Sequence, residues 1–181
     1  LITGLLSGKQ LKATLIGDQS LSSRPMNRII NPLTLMGAEI KSNNLQLPLK
    51  ISSSILNGIE YEIPIASAQV KSCLILAGLG AISTSQFYEK TPTRNHTEIM
   101  LQKMGANLTV NRNNITVHPI TQPLNNYEVI VPGDPSTAGF FIGAALVIPN
   151  SKLIIKNVLL NPSRIGLINI LQKMNAQIHI I

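Results

Sequence analysis

Aromatic side chains make up only 3% of these 181 residues, so any core must be aliphatic. A single cysteine, Cys73, excludes an internal disulfide. It lies in an apolar run, the setting of a small core residue and not of an activated nucleophile. No apolar run reaches the roughly 18 residues of a membrane span, and no signal-peptide pattern opens the chain. Acidic residues are few, eight against fifteen Lys and Arg, for a net charge of +7. The basic excess forms no block and is not interleaved with aromatics, which argues against a nucleic-acid partner. It is either scattered over the surface or gathered in a cavity for a small anionic substrate. Metal-ligand spacing is missing too: His96 and Glu98 are two apart and His118 is remote. There is no Ser-His-Asp arrangement, Walker loop or dinucleotide fingerprint.

What is present is aliphatic: 44% of the residues are hydrophobic, enough for the core of one domain or two small ones. The most informative stretch is Pro64 to Leu79, PIASAQVKSCLILAGL. It starts small and polar, then turns apolar on every side from Cys73 onward. A helix apolar all round is a buried helix, expected here over 67–79. Its Ser-capped start carries free backbone N–H groups and the positive end of the helix dipole. The residues alone leave two readings: an ordinary core helix with a Ser cap, or a buried helix whose start binds an anion.

A repeat runs through the chain. LTLMGAEI, LQKMGANL and LQKMNAQI place Met36, Met104 and Met174 at 68 and 70 residues from one another. Ser23-Arg24, Thr93-Arg94 and Ser163-Arg164 set three arginines 70 residues apart. Ser67 and Ser136 stand at the starts of successive buried helices. The opening LITGLLSG reads as the tail of an earlier copy, and so as part of something longer. A period this long is a whole supersecondary unit.

One unit reads as buried helix 67–79, strand 85–89, and an amphipathic helix over about 95–104 stopped by Gly105. Strands 107–111 and 114–118 follow, joined by an Asn-rich turn. A further strand, 127–131, precedes the next buried helix. The preceding copy reads as strand 13–16, helix 23–36 and strands 39–42 and 47–52. The fold class is α/β (α+β). The linker-like stretch Gln122–Asn126 suggests a boundary, giving domains 1–124 and 125–181.

The arginines need a reason. Pro25 suits a first helical turn, so Arg24 sits beside a helix start, where a cation is disfavoured. Either an anion bridges guanidinium and helix start, or Arg24 pairs with Asp18. For Arg164 a structural salt bridge is the simpler reading. In VPGDPSTA, Asp134 reads as a helix cap.

Taken together, GDQSLSSRPMNRIINPLTLMGAEI, ASAQVKSCLILAGL, TRNHTEIMLQKMGANL, VPGDPSTAGFFIGAAL and NPSRIGLINILQKM resemble successive blocks of the 5-enolpyruvylshikimate-3-phosphate synthase family. The resemblance runs in order along essentially the whole chain. It implies two domains of repeated βαβαββ units, with buried helices aimed at a cleft. It implies transfer of the carboxyvinyl group of phosphoenolpyruvate to the 5-hydroxyl of shikimate 3-phosphate, releasing phosphate, in chorismate and aromatic amino-acid biosynthesis in the cytoplasm. By position, Ser67, Ala68 and Gln69 would hold shikimate 3-phosphate, with Gln69 also near phosphoenolpyruvate. Arg24 would bind phosphoenolpyruvate, and Arg94 would reach toward the shikimate phosphate. No cofactor, metal, nucleic acid or membrane is implied, and a full-length member is expected to be a monomer.

The departures are equally informative. The family's N-terminal Lys-Ser…Arg block and Gly-Asn-x-Gly-Thr loop would precede Leu1. Its C-terminal Asp, Lys, Glu and Arg groups, the acid, base and further clamps, would follow Ile181. Catalytic residues are therefore expected outside this stretch, which alone should be inactive. Asn175 stands where a glycine is usual, but asparagine tolerates a left-handed backbone. Two alternatives stay open: the sister family that transfers enolpyruvyl to a nucleotide sugar, whose reactive cysteine loop is not seen, and a non-catalytic remnant. A reading frame continuing past both ends would favour the enzyme over the remnant.

Overall fold

The computed structural model describes residues 1–181. It forms two compact units, Leu1–Tyr127 and Glu128–Ile181. In the first, elements follow in the order α1 (Ile2–Gly8), β1 (Ala13–Leu15), α2 (Gln19–Ser22), α3 (Asn27–Leu35), β2 (Ile40–Asn43) and β3 (Gln46–Ile51). They continue with β4 (Glu60–Ile63), α4 (Ala68–Leu79), β5 (Ser85–Glu89), α5 (His96–Lys103), β6 (Leu108–Asn111) and β7 (Asn114–Val117). The second unit contains α6 (Pro135–Val147) and α7 (Gly166–Lys173).

The stretch from β4 to β7 is one complete βαβαββ unit. Its sheet runs β4-β5-β7-β6, with β4 and β5 parallel and the other pairs antiparallel. α4 makes the crossover that a parallel pair requires. The preceding copy has the sheet order β1-β3-β2, the same arrangement as β5-β7-β6. Alternation decides which face is covered. In β5, Ser85, Phe87 and Glu89 are buried while Gln86 and Tyr88 are exposed.

α4 lies in the core of this unit. Cys73, Leu74 and Ile75 are fully buried and pack with Leu33, Phe87 and Val117. Each such aliphatic side chain contributes about 1.5–3 kcal/mol by leaving water. α1 lies against α4 through glycine. A Cβ added at Gly4 would collide with the Cys73 carbonyl, and one at Gly80 with the backbone of Gly8. Burial pushes the Cys73 thiol above its ordinary range, as befits a core residue.

The repeat is visible atom by atom at three helix ends. Met36, Met104 and Met174 are the C-caps of α3, α5 and α7. Each is followed by a left-handed residue: Gly37 at φ +99°, Gly105 at +86° and Asn175 at +64°. The next amide then bonds back over the end of the helix. Ala38 reaches the Leu33 carbonyl at 2.9 Å, Ala106 reaches Leu101 at 2.9 Å, and Ala176 reaches Leu171 at 3.0 Å. This is the Schellman closure, and Asn175 makes it without glycine.

Three local expectations change. The helix expected over 23–36 is shorter, α3 at Asn27–Leu35, with Ser23 to Met26 outside it and a separate short helix, α2, before them. Pro25 has no N–H and disfavours helical backbone at Arg24, so α2 ends at Ser22 and Pro25 precedes the N-cap Met26. The alternating stretch 127–131 is not a strand. The only pairing nearby is an isolated bridge, Gly133 to Val158, and a strand without a partner has no ladder to hold it. As expected, Asp134 caps α6, and Ser136 lies in its first turn. α6 is not buried: only Pro135 and Ala138 are covered, and Phe140 is 81% exposed. No helix is long and apolar enough to cross a membrane.

Candidate anion-binding site

The start of α4 has the form its sequence suggests. Ser67 is the N-cap in an extended conformation, φ −142° and ψ 106°, and its Oγ accepts from the Val70 amide at 3.4 Å. The Lys71 amide closes the first helical bond onto the Ser67 carbonyl. The amides of Ala68 and Gln69 have no acceptor in the protein. Ser67 and Ala68 are half-buried and Gln69 is exposed. Free N–H groups at the positive end of a helix favour an anion.

Lys71 follows within the first turn and is completely buried. Its Nζ lies 3.0 Å from Glu89 Oε2 and 2.6 Å from Glu98 Oε1. It also donates to the Thr93 carbonyl at 3.4 Å. The Thr93 hydroxyl donates to Glu89 Oε1 at 2.6 Å, and Ser72 and Thr97 share a hydroxyl bond of 2.6 Å. These contacts tie the start of α4 to the loop between β5 and α5. That loop carries Arg94, half-buried and without a hydrogen-bond or ion-pair partner.

Thus Ser67, Ala68, Gln69 and Arg94 lie on segments joined by direct bonds. Arg24 is held differently. Its loop is fixed to the β2–β3 hairpin, through Gln46 Nε2 donating to the Ser23 carbonyl at 2.8 Å and the Met26 amide to Leu45 at 2.7 Å. The Arg24 guanidinium is exposed and unpaired. Asp18 is not its partner, because that carboxylate caps α2 by accepting from the Leu21 amide at 2.7 Å. In the second unit, Arg164 does pair. It meets Asp134 Oδ1 at 3.0 Å and Ser136 Oγ at 2.8 Å. Asp134 also caps α6 through the Thr137 amide at 3.0 Å. That backbone bond is the main reason its carboxyl sits below the usual aspartate range, with Arg164 a smaller cause.

Sequence reasoning missed Lys71, Glu89, Glu98 and Thr93. The one faint signal was that Lys71 falls within 67–79, the span expected as a buried helix, and a buried ammonium must find carboxylate partners. A concavity of about 260 Å³ lies elsewhere, on the outer face of β4, β5 and β7, lined by Glu60, Glu62 and Tyr88 among others. It holds none of the expected site residues, and its carboxylates would repel an anion.

The family model for EPSP synthase (3-phosphoshikimate 1-carboxyvinyltransferase) matches residues 1–180. Among curated relatives, the 3-phosphoshikimate 1-carboxyvinyltransferase of Ruthia magnifica is 49% identical over 98% of this chain and 41% of its own length. That of Thermodesulfovibrio yellowstonii is 45% identical over 99% of this chain and 42% of its own. A solved EPSP synthase from Acinetobacter baumannii superposes with a TM-score of 0.87 at 39% identity, over 98% of this chain and 40% of that one. The chain therefore spans about two-fifths of the length of the relatives it matches. With the repeated βαβαββ architecture and the Ser-capped helix start already in place, these matches establish that the chain belongs to the EPSP synthase (3-phosphoshikimate 1-carboxyvinyltransferase) family.

Proposed function

We propose that this chain supplies substrate-binding elements to an enzyme that transfers the carboxyvinyl group of phosphoenolpyruvate to the 5-hydroxyl of shikimate 3-phosphate. The observation that carries this reading is the capped, solvent-open start of α4 in a member of this family, bonded to the loop that bears an unpaired Arg94. Ser67, Ala68 and Gln69 hold shikimate 3-phosphate, and Arg94 reaches its phosphate. Arg24 binds phosphoenolpyruvate, with Gln69 nearby. Guanidinium matches phosphate and carboxylate oxygens bidentately, and free amides at the helix start add donors without side-chain entropy. In the reaction the 5-hydroxyl gives up its proton to a base as its oxygen adds to C2 of phosphoenolpyruvate, while C3 takes a proton from an acid. The tetrahedral intermediate then loses phosphate and a methyl proton, restoring the double bond. The groups that move these protons belong to the parts of the family's length outside this chain. Residues 1–124 and 125–181 contribute to the two domains of the enzyme. A cytoplasmic location is part of this reading, supported by substrates that are phosphorylated metabolites.

The test is a chimera in which residues 1–181 replace the matching stretch of the Ruthia magnifica relative. The expected result is phosphate release from phosphoenolpyruvate and shikimate 3-phosphate. A folded chimera that releases none, or that uses a nucleotide sugar as acceptor instead, overturns the reading.

A further inference from the structure

The buried cluster of Lys71, Glu89 and Glu98 has no place in the chemistry above, yet its cost is large. The three side chains are 1%, 6% and 3% exposed. One carboxylate oxygen, Glu98 Oε2, is buried with no partner. Taking charges out of water is expensive, and apolar replacements of such groups are often neutral or stabilising. Fold stability alone therefore does not call for this cluster. Its geometry offers another purpose. Lys71 is on α4 four residues after the Ser67 cap, Glu89 ends β5, and Glu98 lies in the first turn of α5. The loop from Lys90 to Asn95 hangs between the two glutamates. Thr93 is gripped from both sides: its carbonyl accepts from Lys71 and its hydroxyl donates to Glu89. Arg94 is the next residue. A flexible arginine loses binding free energy to loop disorder unless its backbone is fixed.

We infer that Lys71, Glu89 and Glu98 are positioning residues, which hold Arg94 at a fixed place relative to the Ser67–Gln69 helix start and so set the affinity for the phosphate monoester of the substrate. The inference rests on the reading of Arg94 given above. Salt bridges of directed geometry hold register in a way that apolar packing does not, because an ammonium between two carboxylates has few alternative positions. Ser72 and Thr97 add a second tie between α4 and α5.

The experiment uses the full-length chimera and compares five variants. These are Arg94→Ala, Glu98→Gln, the charge-free triple Lys71→Met/Glu89→Gln/Glu98→Gln, and each of the last two combined with Arg94→Ala. Glu98→Gln keeps the shape and the Lys71–Glu89 pair, so it guards against failure of the triple to fold. The readouts are Tm and the KM for each substrate. Arg94→Ala is expected to raise the KM for shikimate 3-phosphate about tenfold or more, the size of one charge-assisted hydrogen bond. The triple is expected to approach that rise with its Tm kept and its KM for phosphoenolpyruvate little changed, and Glu98→Gln to show part of it. Added to Arg94→Ala, neither should raise KM further, because both act through that residue. Wild-type KM in the folded triple and in Glu98→Gln overturns the inference while leaving Arg94 as a substrate contact. So does a rise that multiplies with that of Arg94→Ala. No change in Arg94→Ala itself overturns both the inference and the role of Arg94.

Discussion

At the residue scale, two of the three arginines spaced by the repeat, Arg24 and Arg94, have guanidinium groups without protein partners. Arg164, at the same point of the repeat, is paired with Asp134. The period placed all three, and the salt bridge expected for Arg164 is present; the choice for Arg24 stayed open in the sequence, because pairing depends on where a carboxylate folds. In the full-length chimera, Arg24→Ala should cost tenfold or more in kcat/KM. A charge-assisted hydrogen bond contributes about 1.5–3 kcal/mol, and about 1.4 kcal/mol is a factor of ten. Gln69→Ala removes a neutral contact and should cost less. Steady-state kinetics decides, and wild-type efficiency in Arg24→Ala removes Arg24 from the site. Asp134 makes a separate prediction about pH. Its carboxyl is held below the ordinary range, first by the Thr137 amide and also by Arg164. A lowered folded value means that the stabilisation is complete above the ordinary aspartate range. It disappears as pH falls through the folded value. Asp134→Asn keeps a capping oxygen but cannot titrate. The acid-induced fall in Tm should be shallower in that variant, and an unchanged slope would show that Asp134 does not contribute to it.

At the scale of elements, most of the first unit was legible. α4, β5, α5, β6 and β7 lie within a residue or two of their expected positions, because each combines a periodic apolar face with a distinct stop signal. The Met-Gly and Met-Asn helix ends were readable for the same reason: the left-handed residue is encoded locally. The cluster around Lys71 was not legible, since its three charges are separated by long stretches and each alone reads as a surface group. Nor was the closeness of α1 and α4. Gly4 and Gly8 are one helical turn apart on α1 and let the two backbones meet. Gly4→Ala should therefore destabilise by about 1–3 kcal/mol through overpacking. Gly143, in the middle of α6, has nothing within 4 Å of an added Cβ. Gly143→Ala should be neutral or stabilise by up to about 1 kcal/mol, the helix-propensity difference. Chemical denaturation of both variants checks the contrast, and a well-tolerated Gly4→Ala would mean that α1 shifts away from α4.

At the scale of the molecule, the two units differ in how much of their apolar surface is covered. In Leu1–Tyr127 the two sheets, α3 and α4 enclose a continuous aliphatic core. In Glu128–Ile181 the equivalent of α4 is α6, with the same all-round apolar composition but without a covering sheet. Phe140 is 81% exposed, Val147 78%, Ile130 89% and Val131 82%. Here the sequence correctly marked a helix made for burial, while burial itself needs neighbours that composition cannot supply. Repeated units gain stability chiefly by stacking on one another, and contiguous exposed apolar surface drives association. The 181-residue chain should therefore self-associate, with a Tm that depends on its concentration, as expected when association is linked to folding. It should show no turnover of phosphoenolpyruvate with shikimate 3-phosphate. Sedimentation velocity and thermal melts over a concentration series read the first outcome, and a phosphate-release assay the second. Phe140→Ser with Val147→Ser removes two of the most exposed apolar side chains of α6. It should shift the chain toward monomer without lowering the stability of the first unit. If the wild-type chain is a monodisperse monomer with a sharp, concentration-independent transition, α6 is stable as an exposed helix and its apolar surface is not what holds copies together.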